Sequence, residues 1–506
     1  MPQAPDITLV NLNMLFIRYG QQVERELHVP LGTLYLARAM EAAGFAVDHR
    51  DYQFCPADDP FDMQAMLDFM EQPARVIGLS CMANLLPFTL LAAQTLKLRY
   101  PDRVMVLGGV GSKSVEGEIL SRFPWIDIIC RGEGELTGPD LLAAIRDGRD
   151  LATVPGISFR TADGRIVHNP DRPRIADLDA IGFPAWEKID LAKYAGYGMM
   201  TSRGCPYRCT FCSVAPVWNH QSASRSPANI VAEMVELNRR AGVNLFLFQD
   251  EFFVSGKAQV MDFCRELVAT GLKLEWKAFG RVNLIDEEMM QAMAASGCLE
   301  LRFGVESGSD RILSRIRKGF TAAQVLELIP KAIQIFPRVD TFYVWGFPFE
   351  TMDDFNQSLF QMISFRMMGA RILPSLLSLL PQTKVYRECL GNSTAAEKLE
   401  YCPWLLPEFV FTGHEIALDG GVQIPPRHQP VFKLIMDNPD IFPGFFHIDL
   451  ANNVLPKLRL LQQFGFYPKS EKSEEAAGVA NPASVECNCQ FPSPPRATPQ
   501  ELATRA

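Results

Sequence analysis

The sequence lacks the features that mark membrane, secreted and nucleic-acid-binding proteins. Its strongest apolar stretches, such as residues 372–380, are interrupted by proline and serine and are too short to span a bilayer. No basic segment followed by an apolar run stands at residues 1–6, so we expect no secretory signal. No block of five or more like charges occurs, and the formal net charge of −9 disfavours nucleic acid as a partner.

Cysteine is scarce as well. The 12 cysteines are spread over 506 residues, a density too low for a disulfide scaffold, so we expect the reducing environment of the cytoplasm. Hydrophobic residues make up 48% of the chain and charged residues 21%, which predicts a globular protein with a large core. The length predicts two or three domains.

Three of the cysteines stand together, Cys205, Cys209 and Cys212, in the run GCPYRCTFC of residues 204–212. Four-iron clusters usually take four cysteine ligands, and three thiolates at this C-x3-C-x2-C spacing leave one iron open for another ligand. A zinc site is an alternative, with His220 as a possible fourth ligand. Three unrelated buried thiols are the other alternative.

The cysteine run resembles that of the radical S-adenosylmethionine (SAM) enzymes. The resemblance implies a 4Fe–4S cluster held by the three cysteines, whose open iron binds the amino and carboxylate groups of SAM. One electron from the cluster splits SAM into methionine and a 5′-deoxyadenosyl radical. Phe211 is implied to pack beside the adenine of SAM. Such an enzyme is oxygen-sensitive and has a low-potential electron donor, of flavodoxin or ferredoxin type, as a partner.

Residues 1–150 alternate strand and helix patterns, which predicts a doubly wound, Rossmann-like parallel sheet. The strands are expected at residues 7–12, 46–50, 75–81, 104–109 and 126–131, with helices at 30–44 and 85–100. Ligands of such sheets bind at the carboxyl ends of the strands. Ser80, the pair Gly108 and Gly109, and the run RGEGE of residues 131–135 fall at these ends.

These strand ends resemble the cobalamin-binding domain that precedes many radical SAM cores. The resemblance implies cobalamin contacts from seven residues: Ser80, Gly108, Gly109, Gly132, Glu133, Gly134 and Glu135. A sheet that has lost the cofactor is the alternative. The Asp-x-His-x-x-Gly loop that ligates cobalt in the family is absent, and the nearest approach is His28, which could instead be a solvated histidine at a helix start. We therefore expect cobalamin without a protein histidine on cobalt.

Residues 151–195 contain several prolines and read as a connector with one hairpin. Residues 196–400 resume the alternation at the longer spacing of a β/α barrel. The first strand, residues 199–203, leads into the cysteine loop, on the face where barrel active sites lie. Five further strands are expected at residues 244–249, 275–280, 300–305, 340–346 and 373–379. Six strands suit the partial (β/α)6 barrel of the radical SAM fold.

The ends of these strands carry residues that the resemblance assigns to SAM. Asp250 or Glu251 would contact the amino group, with a solvated loop pair as the alternative. Arg281 could face the carboxylate or form a structural salt bridge. The run GVESG implies Gly304, Glu306 and Ser307 at the ribose or methionine end, and GFPFET implies Gly346 and Pro348 at the adenine. Phe349 replaces a glycine of the family pattern, which leaves the backbone path of that turn open.

Residues 401–468 form an aromatic-rich C-terminal region, which either caps the barrel over the substrate or contributes core packing. Residues 469–506 are rich in proline, serine and alanine and are expected to be disordered. The pair Cys487 and Cys489 within this tail has no partner ligands, so we expect no metal there.

Together the motifs resemble the cobalamin-dependent radical SAM enzymes, most of which are methyltransferases. The implied mechanism uses one SAM to methylate reduced cobalamin and a second SAM, on the cluster, to form the 5′-deoxyadenosyl radical. That radical abstracts hydrogen from an unactivated carbon of a small-molecule or peptide substrate. The substrate radical then takes the methyl group from methylcobalamin. The cofactors carry the chemistry, and no general base is assigned.

Three other functions remain open at this point. A related enzyme could close or rearrange a ring without methyl transfer, as in the anaerobic cyclase of bacteriochlorophyll synthesis. tRNA methylthiolation requires three further N-terminal cysteines and a basic C-terminal domain; Cys55, Cys81 and Cys130 are present, but the first strand carries Asn11 and no cysteine. A non-catalytic cluster or cobalamin sensor would have no use for a SAM site.

Overall fold

The structure is a computed structural model that describes residues 4–19, 22–194, 197–391, 399–401 and 429–467. The expected tail at residues 469–506 and the aromatic residues Trp404, Phe409 and Phe411 lie outside the described residues. The described residues form one compact unit. Within the described ranges, no helix has both the length and the apolar character needed to cross a membrane.

The first layer of the unit is a seven-stranded sheet with the order β4-β1-β5-β6-β7-β8-β9. The strands up to this point are β1 Ile7–Asn11, β2 Leu15–Tyr19, β3 Gln22–Glu26, β4 Val47–Asp51, β5 Val76–Ser80, β6 Val104–Gly108, β7 Ile128–Cys130, β8 Ile157–Arg160 and β9 Ile166–His168. β2 and β3 form a separate hairpin. The pairs among β4, β1, β5, β6 and β7 are all parallel. The expected doubly wound sheet is confirmed.

Helices cover both faces of this sheet. They are α1 Leu31–Ala42, α2 Met63–Phe69, α3 Leu86–Arg99, α4 Glu116–Arg122 and α5 Gly134–Asp147. Alternate residues of β1 enter two different cores, with Ile7 and Leu9 on one face and Val10 and Leu12 on the other. The strand order changes direction between β1 and β5, where Asn11 is paired with Ser80. A change of this kind opens a crevice at the carboxyl edge of the sheet.

The hairpin expected in the connector joins the sheet. β8 pairs antiparallel with β7, and β9 pairs antiparallel with β8, so both strands extend the edge beyond β7. Residues 157–168 therefore belong to the first sheet in this structure. The rest of the connector contains short turns, and its Trp186 is buried.

The second layer is a six-stranded sheet with strands in chain order. They are β10 Tyr197–Met199, β13 Leu245–Phe248, β14 Glu275–Gly280, β15 Cys298–Glu306, β16 Arg338–Trp345 and β17 Arg371–Leu376, all parallel. Two short strands, β11 Ser202–Arg203 and β12 Ala223–Ser224, form a separate antiparallel pair. The α/β architecture and the six strands of the predicted partial barrel are confirmed.

Helices connect these strands. They are α6 Val214–Val217, α7 Pro227–Ala241, α8 Lys257–Ala269, α9 Glu287–Ala295, α10 Asp310–Arg315, α11 Ala322–Ile335, α12 Met352–Met368 and α13 Lys384–Leu390. Local sequence signals fix both ends of α7. The Ser226 hydroxyl accepts a hydrogen bond from the Asn229 amide, Pro227 occupies the first turn, and Gly242 ends the helix in a left-handed conformation.

The described C-terminal residues pack into both cores. They form β18 Leu399–Tyr401, α14 Gln429–Asp437, β19 Phe446–Ile448, a π-helical turn at Leu450–Val454 and α15 Leu455–Gln463. Val431 and Ile435 of α14 join a core of the first sheet, whereas Leu458 and Leu461 of α15 join the core of the second. For these residues the structure favours core packing over the capping role.

One buried ion pair attaches this C-terminal segment to the second sheet. Lys457 of α15 places its Nζ 2.8 Å from Oε2 of Glu350, in the turn after β16, and neither side chain is more than 1% exposed. Lys457 also donates a 2.5 Å hydrogen bond to the Asn453 side chain. The pair depends on both partners, because an isolated buried charge is costly.

Replacing the cation tests this dependence. We expect Lys457→Met to lower the free energy of unfolding by about 3–5 kcal/mol, because it leaves Glu350 buried without its partner. The control is Lys433→Met, which removes the exposed Lys433–Asp437 pair and is expected to cost under about 1 kcal/mol. Urea denaturation followed by circular dichroism measures both. Equal losses in the two variants would contradict the interpretation.

Candidate functional site

The cysteine loop leaves the carboxyl end of β10 on a two-stranded stem. β11 and β12 pair across this stem, with Arg203 opposite Ala223. Gly204 begins the loop with a φ of +80°, and a Cβ at this position would lie 2.3 Å from the Gln221 carbonyl oxygen. Only glycine fits here without displacing the backbone.

The three thiols of the loop are half-buried and near one another. Burial raises the pKa of Cys212 to about 11 and also raises that of Cys205, and the neighbouring thiols contribute to both shifts. Among the described residues, no three histidine, cysteine, aspartate or glutamate side chains are placed to hold a single metal ion. His220 directs Nδ1 to the Tyr207 carbonyl at 3.3 Å instead of joining the thiols. His220 is therefore not placed as a fourth ligand beside the thiols, and three thiolates suit a cluster whose separate irons each take one thiolate.

Neighbouring segments brace the loop from two sides. The Thr210 amide donates to the Ile316 carbonyl at 3.0 Å, and the Thr210 carbonyl accepts from Val385 at 2.9 Å. Arg281, just after β14, stacks its guanidinium on the Tyr207 ring at 3.6 Å and donates to the Lys318 carbonyl. The Arg281 Nη1 lies 4.0 Å from the Cys209 sulfur. Arg281 therefore supports the loop in this structure and adds positive charge beside a thiol.

Glu306 ends β15 in a strained conformation beside the loop. Its φ is +70°, which is rare for a residue with a side chain, and such strain often accompanies functional sites. Its carboxylate accepts from Lys318 Nζ at 2.6 Å. A Cβ at Gly304 would lie 2.5 Å from that carboxylate, which explains this glycine. Lys318 also lies 5.9 Å from the Phe211 ring centroid. The sequence analysis missed Lys318, which no motif marks.

Two residues predicted to contact SAM have their polar groups engaged within the protein. The Ser307 hydroxyl is fully buried, lies 3.0 Å from the Ser358 hydroxyl and accepts from the Ser309 amide. Asp250 accepts from the Thr201 amide at 2.7 Å and from the Thr201 hydroxyl. Both residues therefore support the backbone here. Glu251 is exposed and lies beside the Gly204 amide, so of the acidic pair it is the better candidate for the SAM amino group.

The turn after β16 meets the cysteine loop. The Phe211 ring packs edge-on against Phe347 at 5.9 Å, so Phe211 lies next to the turn that contains Gly346 and Pro348. Gly346 has a φ of +85°; its amide donates to Glu350 at 2.8 Å and its carbonyl accepts from Asn453 at 3.0 Å. Pro348 is half-buried and belongs to the same turn.

Phe349 stands where the family pattern has glycine, and it does not disrupt this turn. The Phe349 ring stacks on the Phe347 ring, with centroids 5.5 Å apart. The Arg315 guanidinium lies 4.3 Å from the centroid of the Phe349 ring. The backbone of Phe349 also accepts a hydrogen bond from Arg311 at 2.7 Å. The departure is therefore accommodated by aromatic and cationic neighbours that the sequence pattern did not identify.

The predicted cobalamin residues fall into two groups. Ser80 is half-buried at the strand-order change, and a Cβ on Gly108 or Gly132 would meet no atom within 4 Å, so this edge is open to a bulky ligand. The other two glycines are explained by packing within the protein. A Cβ on Gly109 would lie 2.4 Å from the Cys81 carbonyl, and one on Gly134 would lie 2.4 Å from Leu36.

Glu133 and Glu135 face the cysteine loop stem. Arg203 contacts Glu133 at 3.1 Å and Glu135 at 2.5 Å. Arg174 contacts the second oxygen of Glu133 at 3.0 Å. Both carboxylates are therefore engaged with the protein's own cations.

His28 stands in the segment that leads into α1. Its backbone is fixed by Gln53, which accepts from the His28 amide at 2.9 Å and donates to the His28 carbonyl at 2.7 Å. Gln53 in turn is bonded to Asp51 at the end of β4. The segment before α1 is thereby held at the carboxyl edge of the first sheet.

The fold and the site define a class: a doubly wound sheet followed by a six-stranded parallel sheet whose first strand leads into a three-cysteine loop. Family models agree with this division. The model of the Radical SAM superfamily matches residues 199–362, and that of the B12 binding domain matches residues 23–142. The chain belongs to the cobalamin-dependent radical SAM enzymes. Its cofactors are a 4Fe–4S cluster, SAM and cobalamin.

Curated relatives include two kinds of enzyme. The chain is 31% identical over 356 residues to the anaerobic magnesium-protoporphyrin IX monomethyl ester cyclase of Synechocystis sp., covering 68% of this chain and 70% of the relative. It is 29% identical over 289 residues to the uncharacterized methyltransferase PH0819 of Pyrococcus horikoshii, covering 56% and 63%. A cytidylyl-2-hydroxyethylphosphonate methyltransferase of Streptomyces wedmorensis is 26% identical, covering 63% and 69%. The chain thus spans less than two thirds of the length of PH0819 and slightly more than two thirds of the length of the other two relatives.

Solved structures share the fold. The radical SAM methyltransferase TsrM from Kitasatospora setae, solved with cobalamin and a 4Fe–4S cluster, superposes with a TM-score of 0.65 at 18% identity. That alignment covers 86% of this chain and 91% of TsrM. The cobalamin-dependent enzyme OxsB superposes with a TM-score of 0.62 at 17% identity, covering 91% of this chain and 75% of OxsB.

The loop geometry predicts an intolerant glycine. We expect Gly204→Ala to lose most of the iron after reconstitution, because the added methyl group collides with the Gln221 carbonyl and the positive φ becomes strained. Iron analysis per chain measures the effect. Gly256→Ala is the matched control, since Gly256 has extended backbone and no atom within 4 Å of a Cβ. Full iron content in Gly204→Ala would contradict the interpretation.

Asp250 predicts a pH effect. Burial raises the pKa of Asp250 from 3.8 to about 7, so its ionisation opposes folding and stability is lost as the pH rises through this interval. Asp250→Asn removes the ionisable group and with it this pH-dependent loss of stability. The unfolding free energy of the variant minus that of the wild type should therefore increase by about 2–4 kcal/mol between pH 4 and pH 8. Urea titrations at each pH measure it, and a difference independent of pH would refute the assignment.

Proposed function

We propose that the protein is a cobalamin-dependent radical SAM methyltransferase that acts on an unactivated carbon of a small-molecule or peptide substrate. One observation carries the proposal. The half-buried three-cysteine loop and the first sheet belong to one compact unit, and residues at the open edge of that sheet contact the stem of the loop. The methyltransferase relatives and the family's cofactors support it.

Each part of the site has a role in this proposal. When bound, the cluster and SAM supply the radical that abstracts hydrogen, and the cobalamin supplies the methyl group. Cys205, Cys209 and Cys212 would hold three irons, while Arg281 and Lys318 place positive charge beside the thiolates. These residues position the cofactors and carry no proton in the proposed reaction.

The remaining residues orient the reactants. Glu306, held at 2.6 Å by Lys318, offers its carboxylate at the end of β15 for the ribose or methionine part of SAM. Phe211 and the turn at Gly346 offer an apolar surface for the adenine. Ser80, Gly108 and Gly132 line the open edge that would receive the cobalamin. Exact positioning matters because correctly oriented reactants contribute a large part of the rate.

A second candidate, a cyclase or ring-rearranging enzyme, is favoured by one observation. The relative that is 31% identical over 68% of this chain is an anaerobic cyclase. The two reactions share the cofactors and differ in the fate of the substrate radical. The consumption of SAM separates them, since methyl transfer yields S-adenosylhomocysteine and ring closure does not.

The buried cysteines of the first sheet disfavour tRNA methylthiolation. Cys55 and Cys81 are buried in the core on one face of this sheet, whereas Cys130 packs against the core of the other face. The three thiols therefore do not converge on one place where a further cluster could bind. A sensor without turnover is disfavoured by the strained Glu306 and its ion pair beside the loop, which a cluster-binding regulator would not need.

The test uses anaerobically purified, full-length protein reconstituted with iron, sulfide and hydroxocobalamin. We expect about four irons and about one cobalt per chain, 5′-deoxyadenosine after SAM and a low-potential reductant are added, and transfer of an isotopically labelled methyl group from SAM to cobalamin. Cys209→Ala should abolish 5′-deoxyadenosine formation.

The matched control is Cys264→Ala, a buried cysteine of α8 far from the loop in sequence, which should keep its iron and SAM cleavage. Failure of the wild type to cleave SAM would refute the radical reaction. SAM cleavage without any methyl transfer to cobalamin would leave the cyclase as the better description. A flavodoxin or ferredoxin and a cytoplasmic location complete the proposal.

A further inference from the structure

A buried group of four charges joins the first sheet to the stem of the cysteine loop. Arg203, the residue before Gly204, donates from Nη1 to Glu133 at 3.1 Å and from Nη2 to Glu135 at 2.5 Å. Its side chain and both carboxylates are at most 8% exposed. Glu133 and Glu135 follow β7, so the contact spans about seventy residues of sequence.

The same carboxylate reaches the other end of the loop. The second oxygen of Glu133 accepts from Arg174 Nε at 3.0 Å and from the Ile175 amide at 2.7 Å. Arg174 stacks on the Trp218 ring at 4.5 Å and donates to the Trp218 and Gln221 carbonyls at 3.2 and 3.4 Å. Trp218 and Gln221 stand after the third cysteine, so Glu133 is bonded to residues that hold both ends of the loop.

These contacts leave the carboxylates little capacity for a cofactor. Both oxygens of Glu133 are occupied, and Glu135 is paired with the guanidinium. The Tyr35 ring of α1 lies 5.3 Å from the Arg203 guanidinium and fills a further side of it. Two cations and two carboxylates balance, as a buried cluster of charges requires.

We propose that Glu133, Glu135, Arg203 and Arg174 form an interdomain clamp, and that they are positioning residues which set the cysteine loop at a fixed distance from the open edge of the first sheet. The residue before Glu133 is Gly132, which lies on that edge, and Cys205 stands two residues after Arg203. The clamp thus links an edge residue to a thiol through the side chains of Glu133 and Arg203. This inference rests on the proposed function for its consequence, because methyl transfer requires the two cofactors in register.

Two conservative variants weaken the clamp. Glu135→Gln keeps an acceptor and removes a charge, and Arg203→Lys keeps the charge and loses the two-pronged contact. The matched control is Glu300→Gln, which removes a buried carboxylate charge at the start of β15, where Glu300 pairs with Lys277 at 3.0 Å and with Arg302 at 2.5 Å. All three are measured as full-length proteins loaded with iron and hydroxocobalamin.

The first readout is hydrogen–deuterium exchange of the peptide that covers residues 204–212. We expect exchange at least about tenfold faster in Glu135→Gln and Arg203→Lys than in the wild type, because the loop stem loses its anchor, and unchanged exchange there in Glu300→Gln. The second readout is the dipolar coupling between the reduced cluster and cobalt(II) in electron paramagnetic resonance. The distribution of this coupling should broaden in the two clamp variants, because the distance between the cofactors is no longer fixed. It should stay unchanged in the control.

The proposal would be overturned if both clamp variants showed the same loop exchange and the same cluster–cobalt coupling as the wild type. So would loss of cobalt from Glu135→Gln with unchanged loop exchange, since Glu135 would then be a cobalamin ligand. If Glu135→Gln fails to fold, Arg203→Lys decides by the same readouts. A wild type that binds both cofactors but transfers no methyl group would defeat the proposed function while leaving exchange and coupling to judge the clamp.

Discussion

A charge removed from water is stable only beside an opposite charge, and this constraint determines where distant segments of the protein meet. Arg203 meets Glu133 and Glu135 between the two sheets. Lys457 meets Glu350 between the last helix and the turn after β16. Each contact joins segments far apart in the sequence, and loss of one partner would leave the other charge buried and unpaired. The relative placement of sheets, loop and C-terminal segment therefore depends on a few buried ion pairs.

Parallel strands make the site possible. The carboxyl ends of parallel strands lie at one edge, so a loop after any strand reaches the same region as the loops of its neighbours. In the second sheet this brings the cysteine loop, Arg281, Glu306 and the Gly346 turn together. In the first sheet it brings Ser80, Gly108 and Gly132 to one open edge. Glycines occupy the points where backbone segments approach too closely for a Cβ, as at Gly204.

The C-terminal segment is part of the site's support. Asn453 donates to the Gly346 carbonyl, and Lys457 neutralises the Glu350 carboxylate that accepts from the Gly346 amide. His447 lies against the same turn, and burial lowers its pKa to about 4, so it stays neutral at physiological pH. The turn predicted to support the adenine is thus stabilised by residues about one hundred positions later in the chain.

The local patterns of the sequence determined much of this protein. Strand and helix order, the capped helix α7, the doubly wound sheet and the position of the cysteine loop follow from hydrophobic periodicity, caps and spacing, which act over a few residues. The family follows from the cysteine run and the glycine-rich strand ends. Contacts between side chains that are far apart in the sequence could not be predicted from these local patterns. The sequence placed Glu133, Glu135 and Ser307 at cofactors because they stand at strand ends. Only the tertiary structure decided that the two glutamates pair with Arg203 and that the Ser307 hydroxyl is enclosed by its neighbours. A motif specifies where a side chain stands along its strand, whereas the group it contacts depends on how the sheets pack.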